Sequence, residues 1–231
     1  FRNLTVQTQN DSLMYVGSEC SFENLILESD IYSFGSATSI SLENVILDGA
    51  LNLYYSGGGS SPSNCYTNIN NSEFNELFII EDPNQSGYTT NKRIHLDINN
   101  SMFSDISDSS LPYHAGNYYN YVYININNSK MYGNVNLHCV PAESNNENVI
   151  NNSILENASL TISAESLSNP TRSRFDLINC TFYNSTISTD CAPSGDFKNN
   201  IFFPDFSGVF HPSDSEHPVI SYSMNAPDSG P

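Results

Sequence analysis

The sequence predicts an all-β solenoid, a fold in which short strands wind into stacked coils. A six-residue motif recurs as INNSEF at 69–74, INNSMF at 98–103, INNSKM at 126–131 and INNSIL at 150–155. Apolar residues alternate with polar ones on both sides of the motif, and the unit repeats every 20 to 29 residues. Self-similarity at this interval, carried by short strands, is typical of repeat architectures.

Each unit closes on a large apolar residue that we expect to anchor it in the core. The anchors are Phe1, Phe22, Ile46, Phe74, Phe103, Met131, Leu155, Phe182 and Phe202. The intervals between anchors vary while the core pattern does not, so the additional residues are expected in loops. The spacing predicts about eight to nine coils.

The segments before the motif alternate with a period of two, as in Ile94–Leu96–Ile98 and Val122–Ile124–Ile126. This period predicts strands with one buried face, and no long window shows a helical period. Coils stack at the inter-strand spacing of about 4.8 Å, so equivalent residues lie directly above one another. We therefore expect Phe to stack on Phe inside the solenoid.

Asparagine occupies the position three residues before the anchor in six consecutive units. These residues are Asn71, Asn100, Asn128, Asn152, Asn179 and Asn199. Asn tolerates the left-handed backbone of a tight turn, and its amide can hydrogen-bond to the same residue of the next coil. The sequence thus predicts a corner built on a ladder of Asn side chains.

The chain is strongly acidic, with 25 Asp and Glu against 7 Lys and Arg and a formal net charge of −18. This composition argues against a nucleic-acid partner, which needs a basic surface, and against an anionic membrane. Solubility, cation binding and life in a salty medium stay open as interpretations.

No stretch is apolar over the length of a membrane span, so no membrane insertion is expected. Little Lys and abundant Asn, Ser, Thr and Tyr favour a secreted or cell-surface protein.

Cysteines and glycosylation motifs are both explained by the repeat. The five cysteines show no Cys-x-x-Cys or metal-binding spacing, and an odd number cannot pair completely within the chain, so buried thiols are expected. Ten Asn-x-Ser/Thr sites are present, including Asn3, Asn99, Asn127 and Asn179. Most lie within the repeated turn, and we interpret them as its by-product.

The segments "LINCTFYNSTI", "INNSMFSDI" and "FKNNIFF…VISYSMNAP" resemble the right-handed parallel β-helix repeats of the pectin-lyase-like superfamily. The resemblance covers nearly the whole chain and is most similar to the β-helix region of secreted bacterial and archaeal surface proteins. It implies a β-helix domain over 1–202, followed by an irregular or capping segment over 203–231. Phe1 is already an anchor, so the sequence begins within a coil and without a cap, and we expect it to be part of a longer chain or assembly.

Long loops are expected to leave successive coils on one side and to form a wall. In the superfamily that this chain resembles, saccharides lie in the groove beside such a wall. Tyrosines concentrate in these loops, and their rings can stack on sugars or pack the loops onto the core. The candidate ligand-binding residues are Tyr54, Tyr55, Tyr88, Tyr113, Tyr118 and Tyr119.

No catalytic motif is evident. The Asn-x-Asp, Asp-Asp and Gly-His-Gly motifs of glycosidases with this fold are absent. A polysaccharide lyase needs a base and a cation that neutralises the substrate carboxylate. Lys92, Arg93, His95 and His114 are the residues with suitable grouping, although a surface role for His95 on its strand stays open.

No cofactor is expected, with calcium as the one alternative. Calcium prefers several oxygen ligands, and Glu81 and Asp82 precede Asp105 and Asp108 by about one coil. Glu81 and Asp105 are also the pair of carboxylates that two coils can bring together for hydrolysis.

The function predicted from these observations is a structural, adhesive or carbohydrate-binding role with a polysaccharide or cell-surface glycan as partner. A polysaccharide lyase or glycosidase is the first alternative. A glycan-binding domain like those of phage tailspikes is the second.

Overall fold

The computed structural model describes residues 5–7, 14–16, 19–35, 39–55, 63–81, 92–108, 113–114, 118–139, 148–164, 175–189, 195–203, 207–209, 219–221 and 224–225. All regular elements in these ranges are strands. They are β1 (Thr5–Gln7), β2 (Met14–Val16), β3 (Glu19–Glu28), β4 (Ile31–Gly35), β5 (Ser39–Tyr55), β6 (Ser63–Asn70), β7 (Glu73–Glu81), β8 (Lys92–Asn99), β9 (Met102–Asp108), β10 (Tyr113–His114), β11 (Tyr118–Asn127), β12 (Lys130–Cys139), β13 (Asn148–Asn151), β14 (Ile154–Ala164), β15 (Phe175–Ile178), β16 (Thr181–Tyr183), β17 (Thr186–Thr189), β18 (Asp196–Lys198), β19 (Ile201–Phe203), β20 (Ser207–Val209), β21 (Val219–Ser221) and β22 (Met224–Asn225). Within the same ranges, no helix has the length and apolarity needed to cross a membrane.

The predicted fold class, an all-β parallel β-helix or solenoid, is confirmed. The strands form three parallel stacks. The first stack runs β3, β5, β6, β8, β11, β13, β15, β18 and β21. The second runs β1, β3, β5, β7, β9, β12, β14, β16, β19 and β22. The third runs β2, β4, β5, β7, β9, β12, β14, β17 and β20.

The corner between the first and second stacks is formed by asparagines with positive φ. Asn71, Asn100 and Asn128 have φ values of 51°, 51° and 50°. The same conformation occurs at this corner in Asn24, Asn44, Asn152, Asn179 and Asn199, and at the corner between the second and third stacks in Asn157 and Asn184. The backbone conformation predicted for the corner is therefore confirmed. Asn is among the few residues that adopt it at low cost.

Each corner also bonds to the next coil through its backbone. The amide of Asn71 donates to the carbonyl of Asn99, and the amide of Met102 donates to the carbonyl of Ser72, at 3.0 and 2.9 Å. These bonds continue the parallel ladder around the bend. The corner consequently leaves few polar backbone groups without a partner.

The core contains the predicted stack of anchors from Phe74 onwards. Phe74 is in register with Phe103, and their rings stack at 5.0 Å. Phe182 stacks on Phe202 at 4.8 Å. Met131 and Leu155 fill the layers between them and are fully buried. The aromatic stack expected from the sequence is confirmed in these layers.

The anchors assigned to two early coils are wrong. Ile46 is 46% exposed, and Leu47 is the residue in register with Phe74. Phe22 is buried, but it pairs with Leu42 in the first stack, whereas Leu27 pairs with Leu47. For Ile46, alternation on a strand explains the error, because a shift of one residue moves a side chain to the opposite face. Phe22 lies five residues before Leu27 and belongs to the neighbouring stack. Phe1 lies outside the described residues.

A row of buried serines lies directly behind the corner. The Oγ of Ser101 accepts a hydrogen bond from the amide of Ser72, and the Oγ of Ser129 accepts one from Ser101, at 3.1 and 3.2 Å. Each hydroxyl then donates to the carbonyl two residues before it, as Ser101 does to Asn99 at 2.8 Å. Ser153 continues the row. The serine of the repeated motif is therefore a core hydrogen-bonding group.

Asparagine side chains form ladders, but of the predicted ladder only the last step, between Asn179 and Asn199, is bonded among the described residues. Asn199 donates from its Nδ2 to Oδ1 of Asn179 at 3.1 Å. A second ladder, one residue earlier in the motif, was not predicted. In it Asn127 donates to Asn99, and Asn99 donates to Asn70, at 3.2 and 3.1 Å.

Two further expectations concern the cysteines and the C-terminal segment. Cys65 and Cys180 are buried and Cys20 is half-buried, none of the three in a disulfide, as expected for thiols within the stack. Cys139 and Cys191 are not described at the side-chain level. The short strands β20, β21 and β22 extend the three stacks into the 203–231 segment, and the other residues of that segment after Phe203 lie outside the described ranges.

Candidate functional site

The side chains of the tyrosines predicted to bind a ligand lie outside the described part of the structure. Tyr88 is outside it altogether. Tyr54 and Tyr55 lie at the end of β5, Tyr113 lies in β10, and Tyr118 and Tyr119 lie in β11, where only the backbone is described. The proposed wall of loops therefore stays a prediction.

The residues considered for a lyase lie on two strands. Lys92, Arg93 and His95 belong to β8, whereas His114 belongs to β10 and pairs antiparallel with Tyr118. Arg93 and His95 have described side chains, and both project from the outer face of β8 because residues two apart share a face. The side chains of Lys92 and His114 are not described.

His95 lies in the middle of an aromatic column on the outer face of the first stack. Its ring stacks on Tyr66 at 4.6 Å and on Tyr123 at 4.6 Å, with interplanar angles of 14° and 16°. The strand register explains the column, because Tyr66, His95 and Tyr123 are equivalent residues of successive coils. Both faces of the imidazole are therefore covered, so His95 can make polar contacts only through the edge of its ring.

Burial lowers the pKa of His95 below its ordinary value. The Arg93 guanidinium lowers this pKa further, whereas the Asp97 carboxylate opposes the change. His95 is therefore a neutral imidazole at pH 7. A neutral ring between two tyrosines is a hydrogen-bonding group and a packing element, with no positive charge to attract an anionic substrate.

Polar side chains line the same outer face beside the column. Asn125 donates from Nδ2 to Oδ1 of Asp97 at 2.9 Å. The Asn70–Asn99–Asn127 ladder lies two residues further along the strands, at the edge of the corner. This face thus presents aromatic rings, amides and a carboxylate in adjacent rows.

The calcium candidates do not form a described cation site. Asp105 uses its Oδ1 to accept a hydrogen bond from the amide of Asn134 at 2.6 Å, which fixes the bulge at Gly133. Only the backbone of Glu81 and Asp108 is described, and Asp82 lies outside the described residues. Within the described ranges, no group of three His, Cys, Asp or Glu side chains is arranged to hold a metal ion.

A groove that the sequence did not predict follows the corner along five coils. We call it the corner groove, and its volume is about 540 Å³. It is lined by Asn44, Val45, Ile46, Asn71, Ser72, Glu73, Asn100, Ser101, Met102, Asn128, Ser129, Lys130, Asn152 and Ile154. Four coil steps of about 4.8 Å make it roughly 19 Å long. It is open to solvent and runs parallel to the solenoid axis.

The two rims of the corner groove differ in chemistry. One rim consists of the exposed corner asparagines. The other carries Ile46 and Ile154, exposed by 46% and 44%, together with Met102, Glu73 and Lys130. Lys130 forms an ion pair with Glu156 at the edge of this rim. The floor is made by the buried serines, whose hydroxyls are already bonded within the core.

The last three asparagines of this rim form no side-chain hydrogen bond among the described residues. Asn44 donates to Asn24 and Asn71 donates to Glu43, at 3.0 and 2.7 Å. By contrast, the side chains of Asn100, Asn128 and Asn152 are exposed and form no hydrogen bond with the described residues. The backbone fixes all three at intervals of one coil. Each amide has one donor atom and one acceptor atom, so the groove offers a row of such groups to a ligand.

Comparison of the chain with protein-family models, with curated proteins and with solved structures gave no match. What the chain can do is therefore argued from its own side chains.

Proposed function

We propose that this chain is a non-enzymatic, secreted or cell-surface β-solenoid that binds an extended neutral polysaccharide along the corner groove. The observation that carries the proposal is the row of exposed amides of Asn100, Asn128 and Asn152, which are fixed one coil apart and make no side-chain hydrogen bond within the described part of the chain. An amide pairs well with neighbouring hydroxyls, because it donates and accepts from adjacent atoms. A polymer with a repeated pattern of hydroxyls can use all three at once.

The opposite rim and the charge of the chain support the same ligand class. Ile46, Met102 and Ile154 supply apolar surface for the C–H face of a sugar ring. The net charge of −18 disfavours polyanionic chains. Membership of the pectin-lyase-like superfamily is part of the proposal, and its support is the stacked parallel coil with asparagine at the corner.

The test replaces the three amides while keeping the backbone conformation. Glycine adopts positive φ readily, so the variant Asn100→Gly/Asn128→Gly/Asn152→Gly removes the ligand contacts without strain at the corner. Electrophoresis in gels containing neutral glucans, xylans, mannans or galactans should retard the wild-type chain. We expect the triple variant to migrate as it does without polysaccharide.

The matched control is Asn184→Gly, which has the same backbone conformation with φ 48° but lies outside the corner groove. This variant should be retarded as the wild type is. Equal retardation of the triple variant and the wild type would overturn the groove as the binding site. Absence of retardation in every gel would overturn polysaccharide binding and leave a structural spacer.

A polysaccharide lyase is the second candidate, favoured by the lowered pKa of His95 beside Arg93. A neutral imidazole can accept a proton at pH 7, and a guanidinium can bind a substrate carboxylate. New ultraviolet absorbance from unsaturated chain ends in incubations with acidic polysaccharides would support this function. Its loss in His95→Phe would assign the base.

A further inference from the structure

Among the described residues, the aromatic column of Tyr66, His95 and Tyr123 ends on one side at an exposed ring, that of Tyr66. Its rings follow one another at 4.6 Å, one ring per coil. Tyr123 is only 9% exposed, whereas Tyr66 is 42% exposed. One face of the Tyr66 ring contacts His95, and the other faces the preceding coil.

The residue at the next position of the column is Ser39. It is in register with Tyr66 on one side and with Glu19 on the other. A serine side chain ends at its hydroxyl, so among the described residues this layer of the column contains no ring. Within that part of the chain the column has a gap one coil thick, with the Tyr66 ring as one wall and the exposed Glu19 on the coil beyond.

We propose that a pyranose ring of a neutral saccharide occupies this gap and stacks on Tyr66. The contact between Tyr66 and His95 shows that one coil step accommodates one ring at stacking distance. The apolar face of a sugar packs on a tyrosine ring, while its hydroxyls need polar partners at the edge. We call this position the Ser39 gap.

Polar groups of the required kind surround the Ser39 gap. Ser41 and Asn68 lie on the same outer face, two residues along β5 and β6 from Ser39 and Tyr66. Glu19, which is in register with Ser39 on the coil beyond the gap, adds a carboxylate. This carboxylate supplies acceptors for sugar hydroxyls and disfavours nucleotides and acidic sugars, which carry negative charge.

The Ser39 gap is distinct from the corner groove. Ser39 precedes Asn44, the first asparagine of the groove, by five residues of extended chain, or roughly 16 Å. The inference therefore does not rest on the proposed function. A chain with both sites would hold a single sugar ring on the sheet face and a polymer along the corner.

Two variants test the gap in opposite ways. Ser39→Tyr fills it with a protein ring, and Tyr66→Ala removes its stacking wall. The probe is saturation-transfer-difference NMR of the methyl glycosides of glucose, galactose, mannose and xylose. We expect transfer to the ring C–H protons of at least one glycoside, and roughly tenfold weaker binding in both variants, the ratio that 1.4 kcal/mol gives.

The controls separate this site from its alternatives. Asn136→Tyr places a tyrosine at an exposed position of β12 in the third stack and should bind the glycoside as the wild type does. The triple glycine variant of the corner groove should also retain binding. Unchanged binding in Ser39→Tyr, or no transfer to any of the four glycosides, would overturn the proposal. Loss of binding in the triple variant alone would assign the sugar to the groove.

Discussion

The hydroxyl of Ser129 accepts a hydrogen bond from the amide of Ser101, one coil away, at 3.2 Å. The same hydroxyl donates to the carbonyl of Asn127 at 2.8 Å. Ser129 is 3% exposed, so water cannot replace either partner. The Ser129 side chain thus hydrogen-bonds to backbone groups of two successive coils at the point where the strand ladder bends.

The first prediction follows from this relationship. Ser129→Ala leaves the Ser101 amide and the Asn127 carbonyl without that partner in the core, and the free energy of unfolding should fall by about 1–3 kcal/mol. Ser129→Cys should cost less, because Cys180 occupies the equivalent position and its sulfur contacts the Ile178 carbonyl at 3.3 Å. Urea unfolding followed by circular dichroism measures both changes.

The exposed variant Asn136→Ala is the control for that series and should change the unfolding midpoint very little. Equal stability of Ser129→Ala and the wild type would show that the backbone relaxes to other partners.

The second prediction concerns Gly133, whose φ is +69°. A Cβ at this position would lie 2.7 Å from Oδ1 of Asp105 and 3.1 Å from the carbonyl oxygen of Ser104. Gly133→Ala should lower the free energy of unfolding by about 2 kcal/mol or more, since the left-handed conformation alone costs about 1–2 kcal/mol for a residue with a side chain.

A double-mutant cycle with Asp105→Ala separates the two causes. Removing the carboxylate relieves the contact, so Gly133→Ala should cost less in that background than in the wild type. Equal costs in both backgrounds would assign the whole effect to backbone conformation.

The repeat made the fold predictable from the sequence. Residues of successive coils meet in register, so a pattern such as Asn71, Asn100 and Asn128 reports three-dimensional neighbours directly. The early coils were misassigned because apolar residue type was used to set their register. Asn24 and Asn44 stand three residues before Leu27 and Leu47 and have the corner conformation. The asparagine was therefore the better marker of register than the apolar residue.

The candidate sites were less predictable, because they depend on side chains from different coils. Tyr66, His95 and Tyr123 are 29 and 28 residues apart, which is the repeat interval. This spacing predicts the column, whereas the tyrosines of the loops do not point to it. The corner groove has no comparable signal, because it depends on which amides remain unpaired once the coils have stacked.

The third prediction concerns the reactivity of Cys180. Burial raises the pKa of its thiol to about 11. Because the thiolate is the reactive form, Cys180 should resist iodoacetamide in the native chain at pH 8 and react after unfolding in urea. Mass spectrometry of tryptic peptides measures the labelled fraction. Rapid labelling of Cys180 without denaturant would show that the core opens locally at this coil.

The last prediction concerns the pH dependence of stability that His95 contributes. Its folded-state pKa is lowered by burial, so the unfolded chain takes up a proton first as the pH falls. The free energy of unfolding should therefore be unaffected by His95 above its unfolded pKa of about 6.5 and should decline below it, until the folded pKa is reached.

His95→Phe keeps a ring between Tyr66 and Tyr123 but does not titrate. Thermal unfolding measured between pH 5 and pH 8 should show a shallower loss of Tm in this variant than in the wild type. Parallel curves for the two proteins would mean that His95 has the same pKa in the folded and unfolded chains, and the decline would then belong to the carboxylates.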